Sequence, residues 1–531
     1  MPPQVIQSKN PQFLNESISW TAHQMRVDMR ISIIRKVFQM RTALPLLALC
    51  VAMTVPLQGR TLFLSTTGDD SAPYGDGAVF RTLRRATDSL AAGDTLIVRN
   101  GTYQGGLIVQ LEGTAEAPIF IQGESLDAVI SGSINKLDAL RLDLSSYVTV
   151  DRLTARDADR GGIGVINCHH ITITNGRFAN NGKWGIFTGF ADDIHFEGNE
   201  CYGSRDEHGI YHSNSGDRFV IRGNIVHHNR ACGIHMNGDP EMGGDGVLSY
   251  GIVEGNIIYE NGQGGGAGIN MTHVQDVIVR NNLIYNNYAG GFTYYQDTGT
   301  FEQGSKRALI MGNTVYFQRY QGRSCVNISD TSEKVLVAGN IFVSGVASIL
   351  EVHSNYLSSI LSDHNIFWGI DEEKMILIKN TVTSLSSWRS ATGNDLHTIA
   401  ADPGFVRLDS ADFRPDSISP AIDIGMPLDS VRANLERLGG FKWALAQLDS
   451  LPDEDLTGKW RPVGEAPDAG AYESGFSCDF NRDGAFSVAD AVALILLAVK
   501  NPGDPNFDLN GDGHYSITDV VYLILLLLKP A

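Results

Sequence analysis

The sequence predicts an all-β fold whose main part is a parallel β-helix, a solenoid of short strands stacked coil upon coil. Two recurring motifs indicate this fold. Motifs such as IRGN, VEGN and VAGN recur at intervals of 25, 32, 26, 31, 27 and 25 residues and end at Asn199, Asn224, Asn256, Asn282, Asn313, Asn340 and Asn365. A glycine motif recurs between them, at Gly185, Gly209, Gly233, Gly268 and Gly291. Strands this short bury their apolar faces only by stacking on neighbouring coils, about 4.8 Å away.

The composition agrees with this fold and limits the function. The chain has 531 residues, of which 57 are glycine, 43% are hydrophobic and 19% are charged, which is typical of a globular protein with many tight turns. The formal net charge is −19, and no basic face is evident. We therefore expect neither nucleic-acid binding nor binding to anionic membranes.

Residues 1–59 are interpreted as an N-terminal extension followed by a signal peptide. A basic stretch at 35–41 precedes an apolar run from Ala43 to Val55. A run of about 13 residues is shorter than the roughly 20 that a spanning helix needs, so it predicts export rather than anchoring. We expect the mature protein to be secreted and to have no membrane span.

The cysteines indicate neither a disulfide framework nor a metal site. Removal of the signal would leave an odd, widely spaced set: Cys168, Cys201, Cys232, Cys325 and Cys478. Buried free thiols are the expectation for such a set.

The β-helix is expected to occupy residues 60–400 and to begin with a cap. The segment FRTLRRATDSLA (80–91) has helical spacing and would cover the open end of the first coil, which protects its edge from pairing. GDTLIVRNGTY (93–103) then enters the solenoid. Residues 401–475 are interpreted as the C-terminal part of the same domain.

The asparagines at the motif ends are expected to lie above one another at one turn of every coil. Asparagine tolerates left-handed backbone there, and its amide can form hydrogen bonds along the stack.

The opening segment, the asparagine ladder, and the segments SPAIDIG (419–425) and DAGAYE (468–473) resemble secreted right-handed parallel β-helix proteins of the pectate-lyase-like superfamily. The resemblance covers residues 60–475 and implies a right-handed solenoid with an N-terminal cap helix. It is specific for the fold and weak for the reaction, because the superfamily includes lyases, epimerases, hydrolases and non-catalytic surface proteins.

Residues 476–531 contain two calcium-loop motifs, DFNRDGAFSVAD (479–490) and DLNGDGHYSITD (508–519). Oxygen ligands at loop positions 1, 3, 5, 9 and 12 and a carbonyl at position 7 can surround a calcium ion, and glycine at position 6 permits the sharp turn. The predicted ligands of the first ion are Asp479, Asn481, Asp483, Ala485, Ser487 and Asp490. Those of the second ion are Asp508, Asn510, Asp512, His514, Ser516 and Asp519.

Each loop is followed by one apolar helix, AVALILLAV or VVYLILLLL, without the preceding helix of a full EF-hand. Tandem half-hands of this form resemble dockerin modules, which implies calcium-dependent folding and docking to a cohesin-like partner. The alternative is a stand-alone cap that calcium stabilises.

Strand alternation predicts a column of side chains on one outer face. If Ile210 points inward, Tyr211 points outward. The equivalent outward positions on the two neighbouring coils, one strand spacing away, are Phe187 and His235, and Asn270 takes this position on the coil after His235. Aromatic rings stack on sugar C–H faces, whereas hydroxyl, imidazole and amide groups exchange protons or hydrogen bonds. The column continues through Thr293, Asn327 and Glu351.

Two insertions are predicted to project beside this column. From each glycine of the recurring glycine motif to the next asparagine of the ladder, the distances are 14, 15, 23, 14 and 22 residues. The third and fifth intervals are longer, so two coils carry extra residues at the same corner, at 237–246 and 296–307. Loops raised from a rigid solenoid commonly form a binding groove, and Asn237 and Asp239 are expected to bind substrate there.

The segment GSRDEHGIYHSNSGD (203–217) is the candidate for chemistry. Its Asp206 and His208 are similar to the acid-then-histidine loop of mannuronan C5-epimerases, although Glu207 stands where those enzymes have proline. Proton abstraction next to a uronate carboxylate needs a base and a group that neutralises charge. His208, Tyr211 or His235 is the candidate base, and Arg205, Arg230 or a further calcium ion in the groove is the candidate neutralising group. Structural roles are the competing interpretations: His208 in a turn or the wall, and His212 in the core.

The leading hypothesis is a polysaccharide lyase or C5-epimerase that acts on a uronate-containing polymer. Glycoside hydrolysis is the alternative and needs two flanking carboxylates roughly 5 to 9 Å apart. The insertions offer Asp239, Glu241, Asp245, Asp297 and Glu302 for that role, and the same carboxylates could instead bind calcium or only solvent. A non-catalytic glycan-binding or surface-assembly protein is the third hypothesis.

Overall fold

The computed structural model describes residues 59–133, 137–317, 322–474, 489, 492–496 and 517–527. All but the last residue of the predicted extension and signal peptide lies outside this range. Among the described residues, no helix is long and apolar enough to cross a membrane.

Three sheets wind around one core, and successive coils contribute strands to the three sheets in turn. The strands of these sheets pair in parallel except for the last two of the third sheet, which pair antiparallel. The first sheet contains β1 (Thr61–Leu64), β2 (Val79–Phe80), β3 (Thr95–Val98), β6 (Ile119–Gly123), β9 (Ser146–Asp151), β12 (His169–Thr174), β15 (Asp192–Glu197), β18 (Gly216–Asp217), β19 (Phe219–Arg222), β22 (Leu248–Glu254), β25 (Val274–Arg280), β28 (Lys306–Met311), β31 (Glu333–Ala338) and β34 (Ile360–Asp363).

The second sheet contains β4 (Gly101–Gln104), β7 (Ala128–Ser131), β10 (Thr154–Arg156), β13 (Arg177–Ala179), β16 (Glu200–Tyr202), β20 (Ile225–His227), β23 (Ile257–Tyr259), β26 (Leu283–Tyr285), β29 (Thr314–Phe317), β32 (Ile341–Ser344), β35 (Ile366–Trp368) and β38 (Ile399–Ala400). The third sheet contains β5 (Leu107–Val109), β8 (Leu140–Asp143), β11 (Gly161–Ile166), β14 (Trp184–Gly189), β17 (Ile210–Ser213), β21 (Ile234–Asn237), β24 (Ala267–Thr272), β27 (Gly290–Tyr295), β30 (Val326–Ile328), β33 (Leu350–Val352), β36 (Ile376–Ile378) and β37 (Thr381–Thr383). The predicted parallel β-helix is therefore confirmed.

The core follows from the alternation of side chains along each strand. In the third sheet, the inward residues Ile186, Ile210, Ile234 and Ile269 lie in register on successive coils, and each is fully buried. Stacking equivalent branched side chains fills the interior without gaps, which is how strands of four to six residues acquire a continuous core.

The asparagine ladder forms at the corner between the first and second sheets. Asn224 donates from its backbone N–H and its Nδ2 to Oδ1 of Asn256, each over 3.0 Å, and Asn256 bonds to Asn282 in the same way. The expectation of left-handed backbone at the ladder asparagines is wrong. The preceding residue takes that conformation instead, as at Gly223 (φ 61°) and Gly255 (φ 64°), because the turn needs its positive φ one position earlier.

A second ladder occupies the next corner, between the second and third sheets, and the sequence reading missed it. The backbone N–H of Asn229 donates to Oδ1 of Asn261 over 3.0 Å, and that of Asn261 donates to Asn287 over 2.9 Å. All three asparagines are buried.

The predicted cap helix is present as α1 (Leu83–Thr87). Thr82 caps its N-terminus by accepting a hydrogen bond from the Arg85 N–H. Phe80, Leu83 and Ala86 join the solenoid core, so this segment covers the apolar end of the first coil.

The remaining helices follow the coils. They include α2 (Leu385–Thr392), α3 (Leu428–Leu438), α4 (Lys442–Leu448) and α5 (Ile517–Leu527), and 3₁₀ turns occur at Pro240–Met242, Phe301–Gln303, Leu357–Ser359, Glu372–Lys374 and Leu408–Ser410. Residues 492–496 are also helical. Residues 401–474 add a hairpin of β39 (Phe405–Arg407) and β40 (Asp412–Pro415), not further coils. Val431 of α3 and Phe441, at the start of α4, cover Ile278 and Leu309 on the outside of the first sheet.

Candidate active site

The predicted outer column exists and lies on the third sheet. Strand register places Phe187, Tyr211, His235 and Asn270 side by side on β14, β17, β21 and β24, and the series continues to Thr293, Asn327 and Glu351. The Tyr211 and His235 rings stack with centroids 4.9 Å apart and planes 19° apart. Both side chains are half-buried.

Phe187 does not present an open face for a sugar. Its ring stacks on that of Trp184 at 4.3 Å, the Arg160 guanidinium lies 4.9 Å from its centroid, and only 7% of Phe187 is exposed. Trp184 begins β14 and folds back onto the column, a contact that strand register alone does not reveal. The aromatic end of the column therefore supports its neighbours and is itself covered.

His208 completes the centre of the site. It precedes β17, and its ring lies 4.5 Å from that of His235 and 5.1 Å from that of Tyr211. The Cys232 backbone N–H donates to His208 Nδ1 over 3.1 Å, and His208 Nε2 lies 3.0 Å from His235 Nδ1. Although His208 lies in a turn, its side chain extends along the stacked coils and contacts the column.

These hydrogen bonds define the positions of the protons. The backbone N–H can only donate, so Nδ1 of neutral His208 accepts and its proton lies on Nε2. That proton is donated to His235 Nδ1, which leaves the proton of neutral His235 on Nε2. Among the described residues, His235 Nε2 is buried and has no hydrogen-bond partner.

The surroundings keep all three groups uncharged at neutral pH. Burial lowers the pKa of His208 to about 4. Burial and the neighbouring His208 lower the pKa of His235 well below its ordinary value. Burial raises the pKa of Tyr211, although the hydrogen bond from Asn237 Nδ2 to its hydroxyl, 3.3 Å long, acts in the opposite direction.

Glu207 anchors the loop that carries His208. Its carboxylate accepts a hydrogen bond from Trp184 Nε1 over 2.8 Å and pairs with Lys183 Nζ over 2.7 Å. It also lies 3.9 Å from His208 Nε2. The sequence comparison treated Glu207 only as a departure from the epimerase pattern, so its role in holding the site was missed.

The structure does not bring Arg205, Asp206 and Arg230 to Tyr211 or His235. All three are exposed, and the Arg205 guanidinium donates to the Ala158 carbonyl. Their backbone N–H groups bond to the coil below, which fixes the corner and directs the side chains to solvent. Among the described residues, none of the three forms an ion pair or hydrogen bond with the proposed bases.

His212 is a core residue, as its inward position predicts. It is fully buried and its Nδ1 lies 2.7 Å from Thr188 Oγ1. Burial lowers its pKa to about 3. Cys168, Cys201, Cys232 and Cys325 are buried free thiols, also as predicted, whereas Cys478 lies outside the described residues.

The two insertions lie side by side, as predicted. Gln303 Nε2 on the second insertion donates to the Asp245 carbonyl on the first over 2.9 Å. His273 lies beneath them, fully buried, with 2.8 Å from Nδ1 to the Gln303 carbonyl and 2.7 Å from Nε2 to Asp297 Oδ1. A side chain with no exposure thus holds the second insertion to the solenoid.

The residues expected to bind substrate are held by local contacts. Asn237 bonds to Tyr211, as described, and its Oδ1 accepts from the Asp239 N–H over 3.2 Å. Asp239 takes a left-handed conformation, φ 49°, where the chain leaves β21. Asn270 is 7% exposed and donates to the Tyr295 hydroxyl over 3.3 Å, so it is part of the wall of the site.

Two clusters in the described part of the chain combine three potential metal ligands: His208, Cys232 and His235, and Asp363, His364 and His397. In the first, His208 presents a protonated Nε2 to its neighbour. A ligating imidazole nitrogen must be deprotonated, so the first cluster fits a hydrogen-bonded pair better than a bound metal. The second cluster lies at the end of β34, whose last residue is Asp363, and contains none of the column residues.

Most of the predicted calcium ligands lie outside the described residues: Asp479, Asn481, Asp483, Ala485, Ser487, Asp490, Asp508, Asn510, Asp512, His514 and Ser516. Asp519 is described. It lies in the first turn of α5 and is fully buried. A buried carboxylate at this position fits the last ligand of a calcium loop.

The comparisons with known proteins agree on the fold. Residues 119–243 match the family model "Right handed beta helix region". The chain is 26% identical over 446 residues to the uncharacterized protein YwoF of Bacillus subtilis (strain 168), covering 68% of this chain and 92% of that one. It is also similar to the crystal structure of pectate lyase Pel9A, with a TM-score of 0.53 and 14% identity over 78% of this chain and 97% of that one. The solenoid is therefore a right-handed parallel β-helix.

Proposed function

We propose that this chain is a secreted protein that acts on an extracellular polysaccharide by elimination or C5 epimerisation of a uronate-containing polymer. The observation that carries the proposal is the packing of Tyr211 against His235 and His208 on an outer face, beside two protruding insertions. A solved neighbour with the same fold is a pectate lyase, which supports a polysaccharide substrate.

Both reactions begin with loss of the proton on C5, next to the uronate carboxylate, and both need a second group to return or supply a proton. From one side of the polymer, Tyr211 and His235 meet this requirement for elimination, in which the base removes the C5 proton and the acid protonates the departing glycosidic oxygen on C4. C5 epimerisation additionally needs a proton delivered to the opposite face of C5. The Tyr211 hydroxyl already accepts a hydrogen bond from Asn237, which stabilises a phenolate, so we assign it as the base. His235 Nε2–H has no partner among the described residues, so we assign it as the acid; because this atom is buried, the assignment requires substrate binding to expose it.

Glycoside hydrolysis remains the alternative, and the described contacts favour it less. Asp297 is paired with His273 over 2.7 Å, and Glu302 lies 3.5 Å from the Lys306 ammonium. Carboxylates held in this way are less available as an acid and base pair flanking a glycosidic oxygen. Asp239, Glu241 and Asp245 remain on the first insertion.

We further propose that the C-terminal module binds two calcium ions and docks to a cohesin-like protein. The two loop motifs and the buried Asp519 support calcium binding, and the dockerin resemblance supports the partner.

The test is turnover by the purified full-length protein on alginate, pectin and glycosaminoglycans, with and without calcium. Elimination creates an ultraviolet-absorbing unsaturated product, and hydrolysis creates reducing ends without it. Epimerisation creates neither but changes the configuration at C5, which nuclear magnetic resonance of the polymer detects, and a binding protein does none of these. We expect Tyr211→Phe to lower the rate by about 10²- to 10⁴-fold, the usual contribution of a proton-transferring group. Tyr202→Phe, a conservative change on the outer face of the second sheet, is the matched control and should retain the wild-type rate. An unaffected Tyr211→Phe variant would remove the assigned base.

A further inference from the structure

The outer column continues beyond Phe187 to a group of charges that the proposed reaction does not use. Register places Gly164 next to Phe187, and Arg141 next to Gly164. A Cβ added at Gly164 would lie 2.5 Å from Asp138 Oδ2 and 3.1 Å from Asp138 Cγ. Because Gly164 has no side chain, Asp138 and Arg141 can occupy the space beside it.

The group carries one positive charge in excess. Asp138 is fully buried; its Oδ2 accepts from Arg141 Nε over 2.8 Å, and its Oδ1 accepts from the Gly161 N–H over 2.9 Å. The Arg160 guanidinium also approaches Oδ1, at 3.7 Å, which is too long for a hydrogen bond. Two guanidinium groups thus share a single carboxylate that is already satisfied.

The donors of these arginines are largely unused. Arg141 has only 14% of its side chain exposed, and its Nη2 is buried without a partner among the described residues. Buried charged donors without acceptors are rare because burial removes their hydrogen bonds to water and no protein hydrogen bond replaces them. Burial and the nearby Arg141 lower the pKa of Arg160, and the carboxylates of Asp138 and Glu207 oppose them only in part.

Aromatic rings hold Arg160 in place. Its guanidinium carbon lies 5.1 Å from the Trp184 centroid and 4.9 Å from the Phe187 centroid, within the range of cation–π attraction. The Arg160 side chain is 27% exposed, and a planar guanidinium can bind a carboxylate through two hydrogen bonds.

We propose that Arg141 and Arg160 form an anion-binding subsite that takes the carboxylate of a uronate residue in the same polymer chain that reacts at Tyr211. Arg141 is three coils from Tyr211, roughly 14 Å at one strand spacing per coil. The subsite therefore binds a sugar several residues from the reacting one and selects polyanionic chains over neutral chains. This inference rests on the proposed function for its substrate class, whereas its test measures binding alone.

The test is calorimetric titration of the full-length protein with alginate and polygalacturonate oligomers, chondroitin sulfate and neutral dextran. We expect Arg160→Gln and Arg141→Met to weaken binding of the uronate oligomers about tenfold or more, the equivalent of one charge-assisted hydrogen bond, and to reduce its salt sensitivity. Binding of dextran should not change. Arg218→Gln is the matched control, since Arg218 is an exposed arginine paired with Asp193 on the first sheet.

Because Arg141→Met leaves the buried Asp138 without its partner, the double variant Asp138→Asn/Arg141→Met removes both charges together and guards against misfolding.

Arg variants that bind uronate oligomers as tightly as wild type, or a wild-type protein that binds no uronate oligomer, would overturn the subsite. Tighter binding of chondroitin sulfate than of either polyuronate would overturn the carboxylate assignment. Loss of turnover in Tyr211→Phe with oligomer binding retained supports both proposals, and binding without any turnover by wild type rejects the reaction and leaves the subsite in place.

Discussion

At the scale of single residues, the proposed chemistry depends on side chains that burial keeps neutral. Tyr211 and His235 were predictable from the sequence, because register follows from the repeat and outward positions follow from alternation. Trp184, Glu207, Arg141 and Arg160 were not, because their long side chains reach across the coils and no spacing rule specifies such contacts. The same limit explains why Arg205 and Arg230, close in sequence to the histidines, do not reach them.

The assigned base predicts how the rate depends on pH. Burial raises the pKa of Tyr211, so only a small fraction is phenolate near neutral pH, and this fraction grows about tenfold per pH unit below the pKa. We expect kcat/KM to rise steadily from pH 7 to pH 9. A rate that falls over this interval would contradict Tyr211 as the base. Thermal unfolding at each pH controls for loss of structure.

The buried histidines predict an acid-labile fold. The pKa values of His208 and His212 are lowered to about 4 and about 3, whereas an unfolded histidine titrates near pH 6.5. Below pH 6.5 these histidines therefore bind protons in the unfolded chain but not in the folded chain. For each such histidine, the free energy of unfolding falls by roughly 1.4 kcal/mol per pH unit. We expect Tm to drop from pH 7 to pH 5, and His212→Gln to flatten this slope. An identical slope in the variant would mean that His212 is not buried in neutral form.

At the scale of elements, the corners hold the coils in register. The sequence predicted the first ladder because its asparagines end recognisable motifs. The second ladder was not predicted because the residues that precede Asn229, Asn261 and Asn287 vary more from coil to coil. Both ladders satisfy buried backbone groups that a sharp corner would otherwise leave unpaired, which explains their repetition.

Removing one rung should destabilise the solenoid. Asn256 is fully buried, accepts two hydrogen bonds from Asn224 and donates to the Ile221 carbonyl and to Asn282. We expect Asn256→Ala to reduce the free energy of unfolding by about 3 kcal/mol, measured by denaturant titration. Asn355→Ala, at an exposed site, is the control and should change it by less than about 0.5 kcal/mol. Equal stability of the two variants would show that the ladder is not a stabilising element.

At the scale of the whole molecule, a solenoid of stacked coils carries two adjacent insertions beside the column on its third sheet. The period of the sequence predicted the coils and the adjacent insertions, because both follow from the spacing of the repeat, and the helical spacing of residues 80–91 predicted the cap. It did not predict that residues 401–474 form helices over the first sheet, since that packing depends on outward apolar residues such as Ile278 and Leu309.

The C-terminal module is predicted to fold with calcium independently of the groove. We expect a chelator to release two ions and to lower the helical signal in circular dichroism while the β-helix remains folded. The Asp483→Ala and Asp512→Ala variants should each lose one ion by calorimetry, because each removes a carboxylate ligand. Retention of both ions in either variant would contradict the assigned loops.

The central claim is that Tyr211 and His235 transfer the C5 proton of a uronate polymer. Nuclear magnetic resonance of polyuronate incubated with the protein in deuterium oxide tests it most directly. The claim predicts loss of the C5 proton signal, through deuterium incorporation or through a new double bond, and no such loss with Tyr211→Phe. Chain cleavage with the C5 proton intact, or equal loss with the variant, would contradict it.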